Sequence, residues 1–251
     1  MIKSLRVAIL IFLIELSVTA QYDAHKLEKI YADLFRAEML SYQLEADMLF
    51  LDRGVYPYET KDKLNRDVVF MNALVDSVTV NIPAENEKLF KIHMKWKKSW
   101  DILSSMLVSG QNESRKYAQK LFNRFRSQRE NLEKEILLFL SFDEPDLALL
   151  NRLRDINNGV ENIFKEYLLR QNNGKVYKAM EDYAESLLKI RRKYKKNNNI
   201  SFLTANMIAD LKTFGRAIDN GYKPEVIYRS HAKFNNRVFR LFDLIYPTLN
   251  K

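Results

Sequence analysis

Long stretches of this chain run without a helix breaker, and apolar residues recur through them every three or four positions. From Asp23 to Arg53 the positions Leu27, Ile30, Tyr31, Leu34, Leu40, Leu44, Met48 and Leu51 keep that spacing, and Gly54 follows where a helix C-cap belongs. Only six glycines and five prolines occur in 251 residues, so few hard stops are available. Alternation of period two never persists, which removes the sheet classes and predicts an all-α chain.

Taken in order, the pattern predicts a helix from Asp23 to Arg53, a turn over Val55–Thr60 (VYPYET), and a second helix from Asp62 to Val80 that Pro83 ends. A third covers Ala84–Ser109, with Gly110 as its stop, and a fourth covers Ser114–Phe142, its stripe including Phe139 and Leu140. The fifth spans Pro145–Arg170, with Asn157-Asn158-Gly159 as a place where it would divide in two. Lys175–Lys196, Ser201–Asn220 and Pro224–Tyr246 complete the set. Short corners between long amphipathic helices imply an elongated antiparallel bundle of seven to eight helices. Residues 21–251 are expected to form a single all-helical domain, with Lys195–Asn199 as a minor seam or a plain surface loop.

The first twenty residues stand apart from that pattern. Lys3 and Arg6 precede an apolar run, Val7–Ile14, and Val18-Thr19-Ala20 places small residues at −3 and −1 before Gln21. That is the order of a cleaved secretory signal peptide over residues 1–20, and Glu15 cuts the apolar run too short for a stable membrane anchor. The expected location is therefore extracellular. Removing Lys3, Arg6 and Glu15 takes the formal charge from +9 to +8. A basic secreted protein favours sulfated glycans, anionic lipid or acidic proteins over nucleic acid, which is a poor candidate outside the cell.

With no cysteine in the chain, packing must supply all the stability, and thiol nucleophiles and cysteine metal sites are excluded. The three histidines, His25, His93 and His231, fall on different helices, and neither His-Glu-x-x-His nor Glu-x-x-His occurs. Glycine-rich phosphate loops and nucleophile elbows are missing. No cofactor, metal ligand or catalytic residue is therefore expected, although acid–base pairs drawn from distant helices are legible only in three dimensions. Carboxylates interleaved with cations, as at Glu130, Glu133, Lys134 and Glu135, read as a solvated helix face.

Two features invite a functional reading. Trp96 and Trp100, spaced i to i+4 beside Lys95, Lys97 and Lys98, form either a core stripe or an aromatic anchor, and the core is the more ordinary use. Lys189, Arg191, Arg192, Lys193, Lys195 and Lys196 put six cations into eight positions, KIRRKYKK. The run suits a solvated helix end, a polyanion-binding face, an anionic membrane contact or a dibasic processing site. A second basic face carries Arg115, Lys116, Lys120, Arg124, Arg126 and Arg129. Asn112-Glu113-Ser114 and Asn199-Ile200-Ser201 match the N-glycosylation acceptor, both in expected loops.

These observations favour a secreted, non-enzymatic protein that engages a sulfated glycan or another extracellular protein through a basic helical face. A carrier of lipid or another apolar ligand is the alternative, since unstapled amphipathic helices can part and the eight methionines suit adaptable apolar sites. In general architecture alone the chain resembles the exchangeable apolipoproteins and the insect apolipophorins.

Overall fold

A computed structural model describes residues 24–83, 85–109, 115–169 and 176–249. The expected signal peptide, Met1–Ala20, and the expected acceptor Asn112 lie outside the described residues. Eight α-helices account for nearly all of the described chain: α1 (Ala24–Asp52), α2 (Pro57–Asn81), α3 (Glu87–Ser109), α4 (Arg115–Leu137), α5 (Glu144–Leu168), α6 (Val176–Lys193), α7 (Asn198–Asp219) and α8 (Pro224–Ile245). A 3₁₀ turn, Tyr246–Thr248, follows α8. Among the described residues there is no strand, and no helix is long and apolar enough to cross a membrane.

The helices sort into two compact units. The first gathers residues 24–35, 72–106 and 115–141 of the described chain, and the second 36–71, 107–109, 142–169 and 176–249. In the first, Trp96 and Trp100 are both buried against Phe125, at centroid distances of 5.7 and 5.5 Å. The Trp100 indole donates to Asn72 Oδ1 at 2.7 Å, so the one polar atom of that ring is satisfied. The tryptophan pair is core. In the second unit the ring of Phe164 packs on Phe214 and His231, and Phe50 packs on Tyr228 and His231.

Helix ends follow local chemistry more than apolar period. At the end of α1, Gly54 (φ 68°) donates to Leu51 O at 2.9 Å and Val55 to Phe50 O at 3.0 Å, a Schellman closure that a left-handed glycine permits. Gly221 (φ 69°) repeats it after α7, with Tyr222 donating to Ala217 O. The expected turn over Val55–Thr60 is shorter than the sequence suggested. Tyr56 takes the left-handed value (φ 41°), and Pro57 opens α2 at once, because a first-turn proline gives up no hydrogen bond. The Tyr56 ring, against Tyr228 and under the Arg229 guanidinium, holds that backbone in place.

Three other boundaries move. Helix α3 starts at Glu87 because Asn86 Oδ1 caps Leu89 N at 2.9 Å. Helix α4 stops at Leu137, leaving Leu138 exposed and Phe139 and Leu140 outside any helix. Helix α5 runs unbroken through Asn157-Asn158-Gly159, for tertiary reasons. Asn157 is buried, Asn158 donates to Glu38 Oε1 at 2.9 Å, and Gly159 lets the Tyr183 ring of α6 approach so closely that a Cβ would lie 1.9 Å from its hydroxyl.

Gly215 does the same for the α6–α7 contact: a Cβ there would stand 2.8 Å from Tyr177 Cα. Alanine normally gains about 1 kcal/mol over glycine inside a helix, but backbone cannot swing aside, and overpacking of this kind costs about 1–3 kcal/mol. Gly215→Ala is therefore expected to destabilise the protein by about 1 kcal/mol net, read as a lower urea midpoint with unchanged slope. A raised midpoint would mean that the two helices are not this close.

Candidate functional site

Helix α6 buries one stripe, Val176, Met180, Ala184, Leu187 and Ile190, and its cations occupy what that stripe leaves to solvent. Lys189, Arg191, Arg192, Lys193, Lys195 and Lys196 are all exposed. Lys189, Arg192 and Lys193 share one face at i, i+3 and i+4. Arg191 points to the α7 side, where its Nε donates to Ser201 Oγ at 3.2 Å.

After Lys193 the chain turns sharply. Tyr194 N bonds to Ile190 O, Asn197 N bonds to Tyr194 O, and the Asn197 side chain caps α7 by accepting from Ile200 N at 3.2 Å. The Tyr194 hydroxyl meets Thr248 Oγ1 at 3.0 Å, tying the corner to the C-terminal 3₁₀ turn. The corner is fixed, not frayed, and it lies inside the second unit. Lys193, Tyr194, Lys195, Lys196, Asn197 and Asn198 line an open depression of about 560 Å³.

Only part of this charge is answered. Lys193 faces Asp146 at 3.4 Å, but Lys189, Arg192, Lys195 and Lys196 have no carboxylate within ion-pair distance among the described residues. The negative C-terminal end of α6 and the positive N-terminal end of α7 meet here and largely offset one another, so the field comes from the side chains. The acceptor Asn199, expected in a loop, is instead the second residue of α7, with its side chain exposed and Ile200 beside it buried. Helix α7 starts three residues before Ser201 because Asn197 is a good cap.

The second basic face belongs to the first unit and is less uniform than its sequence. Arg115, Lys116, Lys120 and Arg124 are exposed, Arg126 lies over the Phe122 ring, and Arg129 is buried with Glu133 at 2.7 Å. The expectation of a wholly solvated carboxylate face on α4 is corrected with it. Glu130 and Lys134 pair in solvent, but Glu133 is only 4% exposed and Glu135 meets Lys88 at 2.8 Å.

Of the histidines, His25 is exposed, whereas His93 and His231 are fully buried. His93 Nε2 lies 3.0 Å from the Thr79 hydroxyl, and burial, helped by Lys97, lowers its pKa to about 4, so it packs as a neutral ring. His231 Nε2 lies 3.0 and 2.9 Å from the two Glu161 carboxylate oxygens. Among the described residues no group of three or more His, Asp or Glu is placed to hold a metal ion.

A set of buried ion pairs around α1 escaped the periodicity. Glu38 meets Arg154 at 2.8 Å, Glu45 meets Lys165 at 2.9 Å, and Asp47 takes a hydrogen bond from Lys63, which also reaches Asp67 at 2.8 Å. Burial raises the Asp47 carboxyl to about 6 against the pull of Lys63. Burial works against the Lys63 ammonium too, but Asp47 and Asp67 outweigh it and hold its pKa above the usual lysine value. A signal was available: Ala37–Asp52 carries four acids and no Lys or Arg in a chain of net charge +9, so its cations had to come from elsewhere.

No family model, curated protein or solved structure matches the chain.

Proposed function

We propose that this is a secreted, non-enzymatic protein that binds an extracellular polyanion, a sulfated glycan or an acidic protein surface, through the α6–α7 corner. The reading rests on one observation: four exposed cations, Lys189, Arg192, Lys195 and Lys196, without carboxylate partners among the described residues, of which Lys195 and Lys196 join Lys193 in lining an open depression. Clustered exposed cations repel one another mildly in water, and laying a linear polyanion across them relieves that repulsion and gains by counterion release. At the corner, Asp146 answers Lys193 alone, so cationic charge exceeds the acid beside it among the described residues.

Immobilised heparin tests this. Changing Lys189, Arg191, Arg192, Lys193, Lys195 and Lys196 to Gln is expected to abolish retention at physiological salt and to flatten the salt dependence of binding by up to about one log–log unit per contacting cation. Neutralising Arg115, Lys116, Lys120 and Arg124 on α4 is expected to leave most retention in place. Equal losses from both variants would reduce the effect to net charge and remove the corner from the argument.

A further inference from the structure

The geometry points to an N-linked glycan on Asn199 as a gate on the cationic corner, an inference that rests on the polyanion reading above. Asn199 follows directly on Asn198, which lines the depression, and lies in the same helical turn, so its first sugar would start within about one 5.4 Å pitch of the rim. Its side chain is exposed while the middle residue of the acceptor triplet, Ile200, is fully buried. A sugar attached there leaves on the solvent side and needs no repacking of α7. A branched, hydrated glycan so placed stands beside Lys195 and Lys196 and shields them from an approaching polyanion chain without removing any charge.

The folded state also fixes when the modification happens. Ser201, the third residue of the acceptor, has its backbone N–H bonded to Asn197 O at 2.9 Å and its hydroxyl accepting from Arg191 at 3.2 Å. Transfer needs that triplet free, so it takes place on the emerging chain, before α7 forms. The Asn199 amide nitrogen bonds to the anomeric carbon of a lipid-linked oligosaccharide diphosphate, the carbon–oxygen bond to the diphosphate breaks, and the departing diphosphate takes up the amide proton. Each molecule therefore leaves synthesis as one of two lasting forms, shielded or open.

The test uses full-length protein secreted from eukaryotic cells that add high-mannose glycans, in an Asn112→Gln background so that one acceptor remains. Peptide mass spectrometry reads occupancy at Asn199, and heparin chromatography compares the intact form with the same protein trimmed by an endoglycosidase that leaves a single N-acetylglucosamine. Trimming changes no charge. The trimmed protein and an Asn199→Gln variant are expected to elute together, at higher salt than the intact form. The variant lacking the six cations is expected to elute early whether trimmed or not. An unmodified Asn199, or co-elution of intact and trimmed forms while the six-cation variant still elutes early, overturns the gate alone. If the six-cation variant elutes with its parent, the polyanion reading falls and the gate falls with it.

Discussion

Replacing Lys63 by methionine is expected to cost about 3–5 kcal/mol of stability, because it removes the one cation from between two partly or wholly buried carboxylates. Asp47 is completely buried and Asp67 has a side-chain exposure of 20%, so neither can turn fully to water for compensation. The reverse change, Asp47→Asn, is expected to be much milder. It leaves the ammonium with Asp67 and relieves a carboxylate that burial already disfavours.

The pH dependence carries a sign that tests the assignment. Asp47 has a folded pKa of about 6, above its ordinary 3.8. Its contribution to stability is therefore fully present below about pH 3.8 and is lost as the pH rises through about 6. Without Lys63 the charged form is disfavoured still more, so the Lys63→Met protein is expected to recover stability between pH 7 and pH 5. Denaturant midpoints across that window measure it, and a variant as stable as its parent at pH 7 would show that the ion pair does not hold α1 to α2.

Phe125→Ala is the second large effect, on the other unit. The ring is fully buried and touches both tryptophans, stacking on Trp96 with an interplanar angle of 30° and tilting on Trp100 at 55°. Losing it leaves a ring-sized void at about 3–5 kcal/mol, part of it from the two aromatic contacts at about 0.5–1.5 kcal/mol each. Trp96 and Trp100 are the only tryptophans in the chain, so their emission reports this unit directly. The expected result is a red-shifted, partly quenched native spectrum and an earlier denaturation midpoint. An unchanged spectrum would place Phe125 away from the indoles.

Helix identity was legible in the residues, as was the acid excess of α1; helix ends and the partners of those acids were not. The stripe from Leu27 to Leu51 specifies α1 because a 3.6-residue period with Gly54 beyond it has no other stable use. Tyr56, by contrast, takes a backbone angle usually left to glycine, and only the Tyr228 ring and the Arg229 guanidinium explain why, which no local window contains. Asn157-Asn158-Gly159 looks like a break until Glu38 and Tyr183 arrive from distant parts of the chain to use it. The cationic corner was readable as a run of charge. Which of its members face one carboxylate and which face none depends on where Asp146 ends up, and that is a matter of tertiary structure.

The acids of α1 also set an order of events during synthesis. Glu38 waits for Asn158, 120 residues downstream, and Glu45 for Lys165 from the same later helix. Until α5 has been made, Glu38 and Glu45 lack the Arg154 and Lys165 cations that lie against them in the folded unit, which disfavours their burial. The first of the described helices thus completes its environment only after more than half of these 251 residues exist. A chain cut ahead of Arg154 keeps Glu38 and Glu45 but lacks Arg154, Asn158 and Lys165, the groups that lie against them in the folded second unit.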